Sequence, residues 1–358
     1  MTPRDPPPER GRGATGNPPN RFDRLHVAVE PDSGADDERR AVVTEYFRDT
    51  SRSIVSRNDS PDIPFEVSLN PYRGCEHGCV YCYARPTHEY LGLSAGLDFE
   101  TKLFVKEDAA ALLRKELSRP AWTAQELVLS GVTDPYQPVE RTLGVTRACL
   151  EVLGEFRHPV SIVTKNALVT RDIDILGDMA QRQTAAVAVS VTTLDEDLRR
   201  TMEPRTPTAD VRLEAIGRLA AAGIPTGVMV APVIPGLTDH EIPRIVARAV
   251  EAGATFGSYT IVRLPLAVKD LFGTWMGTHY PDRVNKVLNQ VRATRGGALN
   301  DARFGHRMHG QGPVADMVRR LFESACSRHG LARSAPRLQT SHYRRPTAQP
   351  SLFDEALP

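Results

Sequence analysis

The sequence predicts an α/β protein: a partial (βα)6 barrel of the TIM type with a helical extension on its C-terminal side. Three observations predict it. Short apolar, β-type runs recur at FEVSL (65–69), ELVLS (126–130), VSIVT (160–164), AAVAVSV (185–191), TGVMVA (226–231) and GSYTIV (257–262). Helical patterns lie between them at 107–118, 141–155, 171–182, 209–222 and 239–252. The strand runs are apolar on nearly every residue, as parallel strands covered on both faces are. Six such units fit between residues 65 and 268, too few for a closed eight-unit barrel and enough for an open one.

Taken in order, residues 1–35 read as a disordered N-terminal segment. Their first part is rich in Pro, Gly and Arg, and buries too little apolar surface to order itself. Residues 36–64 mix charges with Val42, Val43, Tyr46, Phe47, Ile54 and Val55, and read as a leader packing on the core. The core barrel follows over 65–268. Its clearest helix is 209–222: Thr208 caps the start, Val211, Ile216, Leu219 and Ala220 lie along one side, Gly223 stands at the C′ position and Pro225 just beyond. Residues 269–331 form the helical extension, with patterns at 281–293 and 313–327 around the glycine-rich stretch GGALNDARFGHRMHGQG. From Ala332 the chain is rich in Pro and Arg and reads as a flexible tail over 332–358.

Composition narrows the function. The chain has 358 residues, 41% apolar and 25% charged, which excludes a wholly disordered protein. Lys and Arg total 45 against 44 Asp and Glu, so any nucleic-acid contact must be a local patch rather than a global field. No apolar run approaches the roughly 18 residues of a membrane span. The start, MTPRDPPPERGRG, lacks a signal-peptide core. The expectation is a soluble, cytoplasmic protein.

Of five cysteines, Cys75, Cys79 and Cys82 crowd into the loop NPYRGCEHGCVYCYARPTHEY after the first barrel strand. Thiolates are the ligands that hold iron–sulfur clusters, and a tight loop lets three converge on one. Gly74 and Gly78 permit the turns. A [4Fe–4S] cube with three cysteine ligands leaves one iron open. The alternative is a structural zinc site with His77 or His88 as fourth ligand, although such sites usually pair their ligands in two C-x2-C-like halves. Cys149 lies among Val145, Val152 and Leu153, and Cys326 follows Phe322 by a helical turn; both read as buried structural thiols.

The C-x3-C-x2-C spacing, with Tyr81 just before the last cysteine, resembles the signature of the radical SAM superfamily. Together with TDPYQPVE after the next strand, it resembles the branch grouped with spore photoproduct lyase and related DNA-repair proteins. That resemblance implies an open iron that chelates S-adenosylmethionine, reductive cleavage to methionine and a 5′-deoxyadenosyl radical, and hydrogen abstraction from a substrate. It also implies an external electron donor.

Chemistry in such a barrel sits at the C-terminal ends of its strands. By resemblance, the loop with Thr133, Asp134 and Glu140 holds the methionine amino group. Lys165 and Ser190 contact its carboxylate or the ribose, Val233 and the backbone near Tyr81 line the adenine, and Glu203 and Arg205 of EPRTP complete the set. A lysine at a strand end suits a carboxylate, and a serine a sugar hydroxyl. The catalytic residue that meets the substrate is not assigned. His279, His306 and His309, near Arg303 and Arg307, read as either a phosphate site or a solvated loop.

No second cysteine cluster accompanies the first, which argues against branches carrying auxiliary clusters. No cysteine stands in the loop after the second strand, where spore photoproduct lyase keeps one, so the resemblance stops short of that reaction. Three readings follow: action on DNA or RNA, favoured by the branch and the basic tail; action on a protein or small metabolite; or non-catalytic iron–sulfur binding. Near the C-terminus Gln349, Leu352 and Phe353 resemble the peptide by which bacterial repair proteins dock on the sliding clamp. Their adjacent apolar pair, in a polar tail, suits insertion into a partner's pocket.

Overall fold

A computed structural model describes residues 11–23 and 42–346. Among the described residues ten strands run in chain order: β1 (Glu45–Arg48), β2 (Val55–Arg57), β3 (Val67–Leu69), β4 (Tyr72–Arg73), β5 (Lys102–Val105), β6 (Leu127–Leu129), β7 (Val160–Thr164), β8 (Ala185–Ser190), β9 (Thr226–Val233) and β10 (Phe256–Ile261). The helices are α1 (Leu97–Thr101), α2 (Ala109–Leu117), α3 (Glu140–Leu143), α4 (Val145–Glu155), α5 (Ile173–Gln181), α6 (Glu196–Met202), α7 (Ala209–Ala221), α8 (Ile242–Glu251), α9 (Val268–His279), α10 (Val284–Ala293) and α11 (Pro313–His329).

The main sheet has the order β10-β9-β8-β7-β6-β3-β2. From β3 to β10 every neighbouring pair is parallel, and β2 joins β3 antiparallel at the edge. The six expected strands are these parallel ones. The sheet does not close, since β10 and β2 are its two edges. All six parallel strands end on one face, at Asn70, Ser130, Lys165, Val191, Ile234 and Val262. A second, three-stranded sheet, β1-β5-β4, flanks it. The leader thus contributes β1 to one sheet and β2 to the other.

Strand side chains such as Val67, Leu127, Ile162, Val187 and Val228 are buried with Leu150, Leu176, Ile216 and Ile245 from the helices, in one continuous core. The expected helix over 141–155 is broken by Gly144 in the left-handed conformation (φ 64°), which separates α3 from α4. In α7, Thr208 Oγ1 accepts from the Val211 amide as its cap, and Gly223 takes a positive φ. Its buried face differs from the expected one: Val211 is exposed, whereas Arg212 and Leu213 are buried. The reason is an ion pair between Arg212 and the buried Glu203. In the extension, α9 precedes the two expected helices. Its Val268, Phe272 and Trp275 form a second core with Val80, Tyr81, Leu237 and Val287.

Two terminal expectations need correction over the described residues. Residues 11–23 are packed on the cysteine loop: Ala14 and Asn20 are buried, and Asn20 Nδ2 donates to the carbonyls of Glu89 and Leu93. Residues 332–346 run beneath the N-terminal ends of the strands. Leu338 is buried, the Gln339 amide donates to Gln183 O, and the Arg344 amide to Phe156 O. Backbone hydrogen bonds hold both segments, and in the second Leu338 packs with Phe256 and Tyr343 packs against the main core. Gln349, Leu352 and Phe353 lie outside the described residues. Among the described residues no helix is long and apolar enough to cross a membrane.

Candidate active site

The cysteine loop leaves β4 and ends in a 3-10 turn at Arg85–Leu91. Gly74 (φ 79°) and Gly78 (φ 68°) make its turns. A Cβ on Gly74 would stand 2.9 Å from the Phe99 carbonyl, and one on Gly78 2.7 Å from Glu100 Oε2, so the loop is closely walled. The Cys75 amide donates to Phe99 O (2.9 Å) and the Val80 amide to Met202 O (3.1 Å). Arg85 Nε donates to Cys79 O (3.0 Å), and its guanidinium pairs with the buried Glu100. The loop after β6 is stitched to the same segment: the Glu76 amide donates to Gln137 Oε1 (2.9 Å), Gln137 Nε2 to Gly74 O (3.2 Å), and the Val139 amide to Glu76 Oε2 (2.8 Å).

Cys75, Cys79 and Cys82 are free thiols. Cys79 packs in the second core, Cys75 with Ala84 and Phe99, and Cys82 touches both groups. Burial pushes all three thiols up; Asp134 adds to this for Cys75, and Glu203 for Cys79. Backbone N–H groups of Asp134 face the Cys75 sulfur, and those of Ala84 and Arg85 face Cys82. Among the described residues no three His, Cys, Asp or Glu side chains converge as ligands of one ion. A cubane asks for something else, one thiolate per iron with N–H donors to the sulfurs. Three unpaired thiols, two buried and Cys82 half-buried, with amides aimed at two of them, fit that group.

Behind the loop, the structure gathers five of the expected residues. Lys165 Nζ donates to Ser190 Oγ (3.2 Å), Thr192 Oγ1 (3.1 Å) and Ala231 O (3.0 Å), and pairs with Glu203 Oε1 at 3.3 Å. Burial brings this ammonium down to about 8. Glu203 also accepts from the Tyr81 hydroxyl, from Thr192 Oγ1 (2.7 Å) and from Arg212 Nη2 (2.6 Å). Asp134 accepts from Thr164 Oγ1 and the Lys165 amide, both at 2.7 Å. Burial alone would raise this carboxyl, but His77 beside it and those donors hold it below its usual range. Val233 ends β9, two residues beyond Ala231.

Three expected residues are used elsewhere. Thr133 is bonded to Tyr72 O and Asn70 Oδ1 and shapes its loop. Glu140 is fully buried, accepting from Tyr72, the Thr146 amide and Arg171, away from the Lys165 group. Arg205 points outward, ion-paired with Glu76 at 3.3 Å. Sequence reasoning missed Arg212, Arg85 and Glu100. Little in the sequence set them apart: Arg212 stands among Asp210, Glu214 and Arg218, and Glu100 between Asp98 and Lys102.

An open barrel of parallel strands, with a three-thiol loop at the mouth and a buried lysine behind it, defines a class of enzyme that pairs an iron–sulfur cluster with a polar cofactor. The profile of the radical SAM superfamily matches residues 69–249, and the chain belongs to that family. It is a radical SAM enzyme, and the cofactors of that family are a [4Fe–4S] cluster and S-adenosylmethionine. It is 39% identical over 232 residues to an uncharacterised protein of Mycobacterium tuberculosis, covering 64% of this chain and 68% of that one. Its fold is similar to a variant of spore photoproduct lyase (TM-score 0.57, 17% identity, 85% of this chain and 86% of that one). It is also similar to spore photoproduct lyase complexed with dinucleoside spore photoproduct (TM-score 0.56, 16% identity, 79% of each chain).

Proposed function

We propose that Cys75, Cys79 and Cys82 hold the cluster, that the Lys165 group orients S-adenosylmethionine, and that the substrate is a nucleic acid. The observation that carries this reading is the convergence of Lys165, Ser190, Thr192, Tyr81 and Glu203 directly behind the three-thiol loop. When bound, the cluster and S-adenosylmethionine supply one-electron cleavage of a carbon–sulfur bond and a carbon radical that abstracts hydrogen. The protein's residues bind and orient. The Lys165 ammonium offers a carboxylate a donor that is already desolvated. Glu203 balances that charge and fixes the Tyr81 hydroxyl, whose ring, with Val233, would flank the adenine. Asp134, kept ionised by its donors, suits an ammonium. Val80, Phe272 and Trp275 close apolar packing behind the loop and exclude water. Glu140, Thr133 and Arg205, engaged elsewhere, are given no cofactor contact.

The nucleic-acid substrate is supported by the resemblance of the cysteine loop and by the fold shared with a protein solved with a dinucleoside photoproduct. The test is 5′-deoxyadenosine formation by anaerobically reconstituted, reduced protein with DNA, RNA or neither. A yield raised by nucleic acid is expected, and equal yields with and without every nucleic acid would overturn the substrate reading. Clamp docking through Gln349, Leu352 and Phe353 belongs to the same reading. A peptide covering 345–358 is expected to bind a bacterial sliding clamp and to lose binding on Leu352→Ala/Phe353→Ala.

A further inference from the structure

We propose that the cavity between the loops that follow β6, β7 and β8 is an anion site that takes a backbone phosphate of the nucleic-acid substrate; this rests on the substrate reading above. The cavity holds about 420 Å³, within the range of small-molecule sites. Every charged residue lining it is an arginine: Arg141 from α3 in the connection after β6, Arg199 from α6, and Arg205 from the turn after α6. Asn166, from the β7 loop, and the rings of Pro138 and Pro207 line it as well.

The three arginines are not equivalent. Arg199 is committed: it pairs with Glu196 at 2.6 Å and donates to Thr206 O (2.7 Å), which fixes the loop and balances its charge. Arg205 is half-committed, a third exposed and 3.3 Å from Glu76 Oε1. Arg141 is exposed, and among the described residues its guanidinium has neither an ion pair nor a hydrogen bond. A free guanidinium and a partly free one lining one cavity, with no carboxylate in the wall, suit a phosphate, which arginine can bind through two parallel N–H groups.

The position ties the cavity to the reaction. Lys165 and Asn166 are consecutive, as are Glu203, Pro204 and Arg205. The same two loops therefore present the cofactor-orienting group on their inner side and the arginine cavity on their outer side. A strand whose reacting nucleotide enters the mouth would lay a neighbouring phosphate over this rim. Phosphate contacts of this kind set register and carry salt dependence rather than sequence preference.

The experiment measures the affinity of reconstituted protein for a short fluorescent single-stranded DNA across a range of NaCl, with inorganic phosphate and AMP as competitors in separate arms. Wild type is compared with Arg141→Gln, Arg141→Glu and Arg320→Gln, the last removing an exposed arginine of α11 far along the chain. Removing one charged side chain from a phosphate should flatten the slope of log K against log salt by about 0.7. Arg141→Gln is expected to do so and to weaken binding, Arg141→Glu to weaken it further, and Arg320→Gln to leave the slope as it is. If wild type binds DNA and the Arg141 variants keep its slope, the site falls and the substrate reading stands. If wild type binds no nucleic acid, the substrate reading itself has failed and the site with it. Arg141-dependent binding of AMP or phosphate without DNA binding would reassign the cavity to a small phosphorylated ligand and overturn the proposal.

Discussion

Gly13 lies against the carbonyl of Gly78 so closely that a Cβ on Gly13 would stand 1.7 Å from that oxygen. The approach is locked by the Gly13 and Ala14 amides, which donate to the two oxygens of Glu100 at 3.0 and 2.8 Å. Glu100 also pairs with Arg85, which holds the Cys79 carbonyl. The N-terminal segment is therefore one end of a chain of contacts that fixes the loop between Cys75 and Cys79.

Gly13→Ala should accordingly push the segment off the loop. No small adjustment relieves the contact, because both partners are backbone. A loss of about 1–3 kcal/mol is expected, the range for strain and broken buried hydrogen bonds, together with faster iron loss to a chelator. Gly16→Ala, where a Cβ meets nothing within 4 Å, should change neither. Equal iron retention in both variants would show that the segment does not support the loop.

The three loop cysteines and the two helical ones should separate cleanly. Cys75→Ala, Cys79→Ala and Cys82→Ala are each expected to lose the iron and the brown colour of reconstituted protein. Cys149 is fully buried, its thiol pushed up to about 12 by that burial, and Cys326 is buried in α11. Their alanine variants should keep full iron content. Iron analysis with the visible spectrum reads the result.

Lys165 and Glu203 should differ in what they cost. Lys165→Met removes a charge-assisted donor and should weaken S-adenosylmethionine binding by about 10–100-fold with the iron retained. Glu203→Ala strips the carboxylate from Arg212, which is 1% exposed. An orphaned buried cation costs about 3–5 kcal/mol, so this variant should lose stability in denaturant as well as cofactor. Calorimetric titration and a denaturation midpoint distinguish the two.

The barrel was legible because its strands are apolar on both faces and its helices carry caps, as at Thr208 and Gly223. Helix α9 was not, since Gly273 and Gly277 argue against a helix locally and only burial of Phe272 and Trp275 selects one. Residues 11–23 misled for a related reason: their order comes from amides on Glu100 and a glycine contact, which composition does not report. At the site, cysteine spacing singled out Cys75, and strand-end position singled out Lys165, Ser190 and Asp134, which the structure brings together. It could not tell Glu203, which turns inward to Lys165, from Glu140, which turns to Arg171. That choice depends on which arginine stands opposite, and Arg212 and Arg171 lie on other elements.

His158 gives the fold a specific acid sensitivity on the face opposite the cysteine loop. It is fully buried, its Nδ1–H donates to Pro159 O (3.0 Å), and its Nε2 accepts from Trp122 Nε1 (3.1 Å), so both nitrogens are satisfied only in the neutral ring. The edge contact with Tyr343, at 5.6 Å, ties the C-terminal segment to the same place. Burial lowers the imidazole to about 4, from an ordinary 6.5. A histidine depressed in the folded state contributes stability that is present above about 6.5 and is lost as pH falls towards 4. Between pH 7 and pH 5 the loss should be about 2 kcal/mol. His158→Gln, which cannot titrate, should be less stable than wild type at pH 7, with the difference shrinking as the pH falls. Denaturant midpoints for both proteins across that range check it, and a difference that stays constant with pH would show that His158 does not titrate on unfolding.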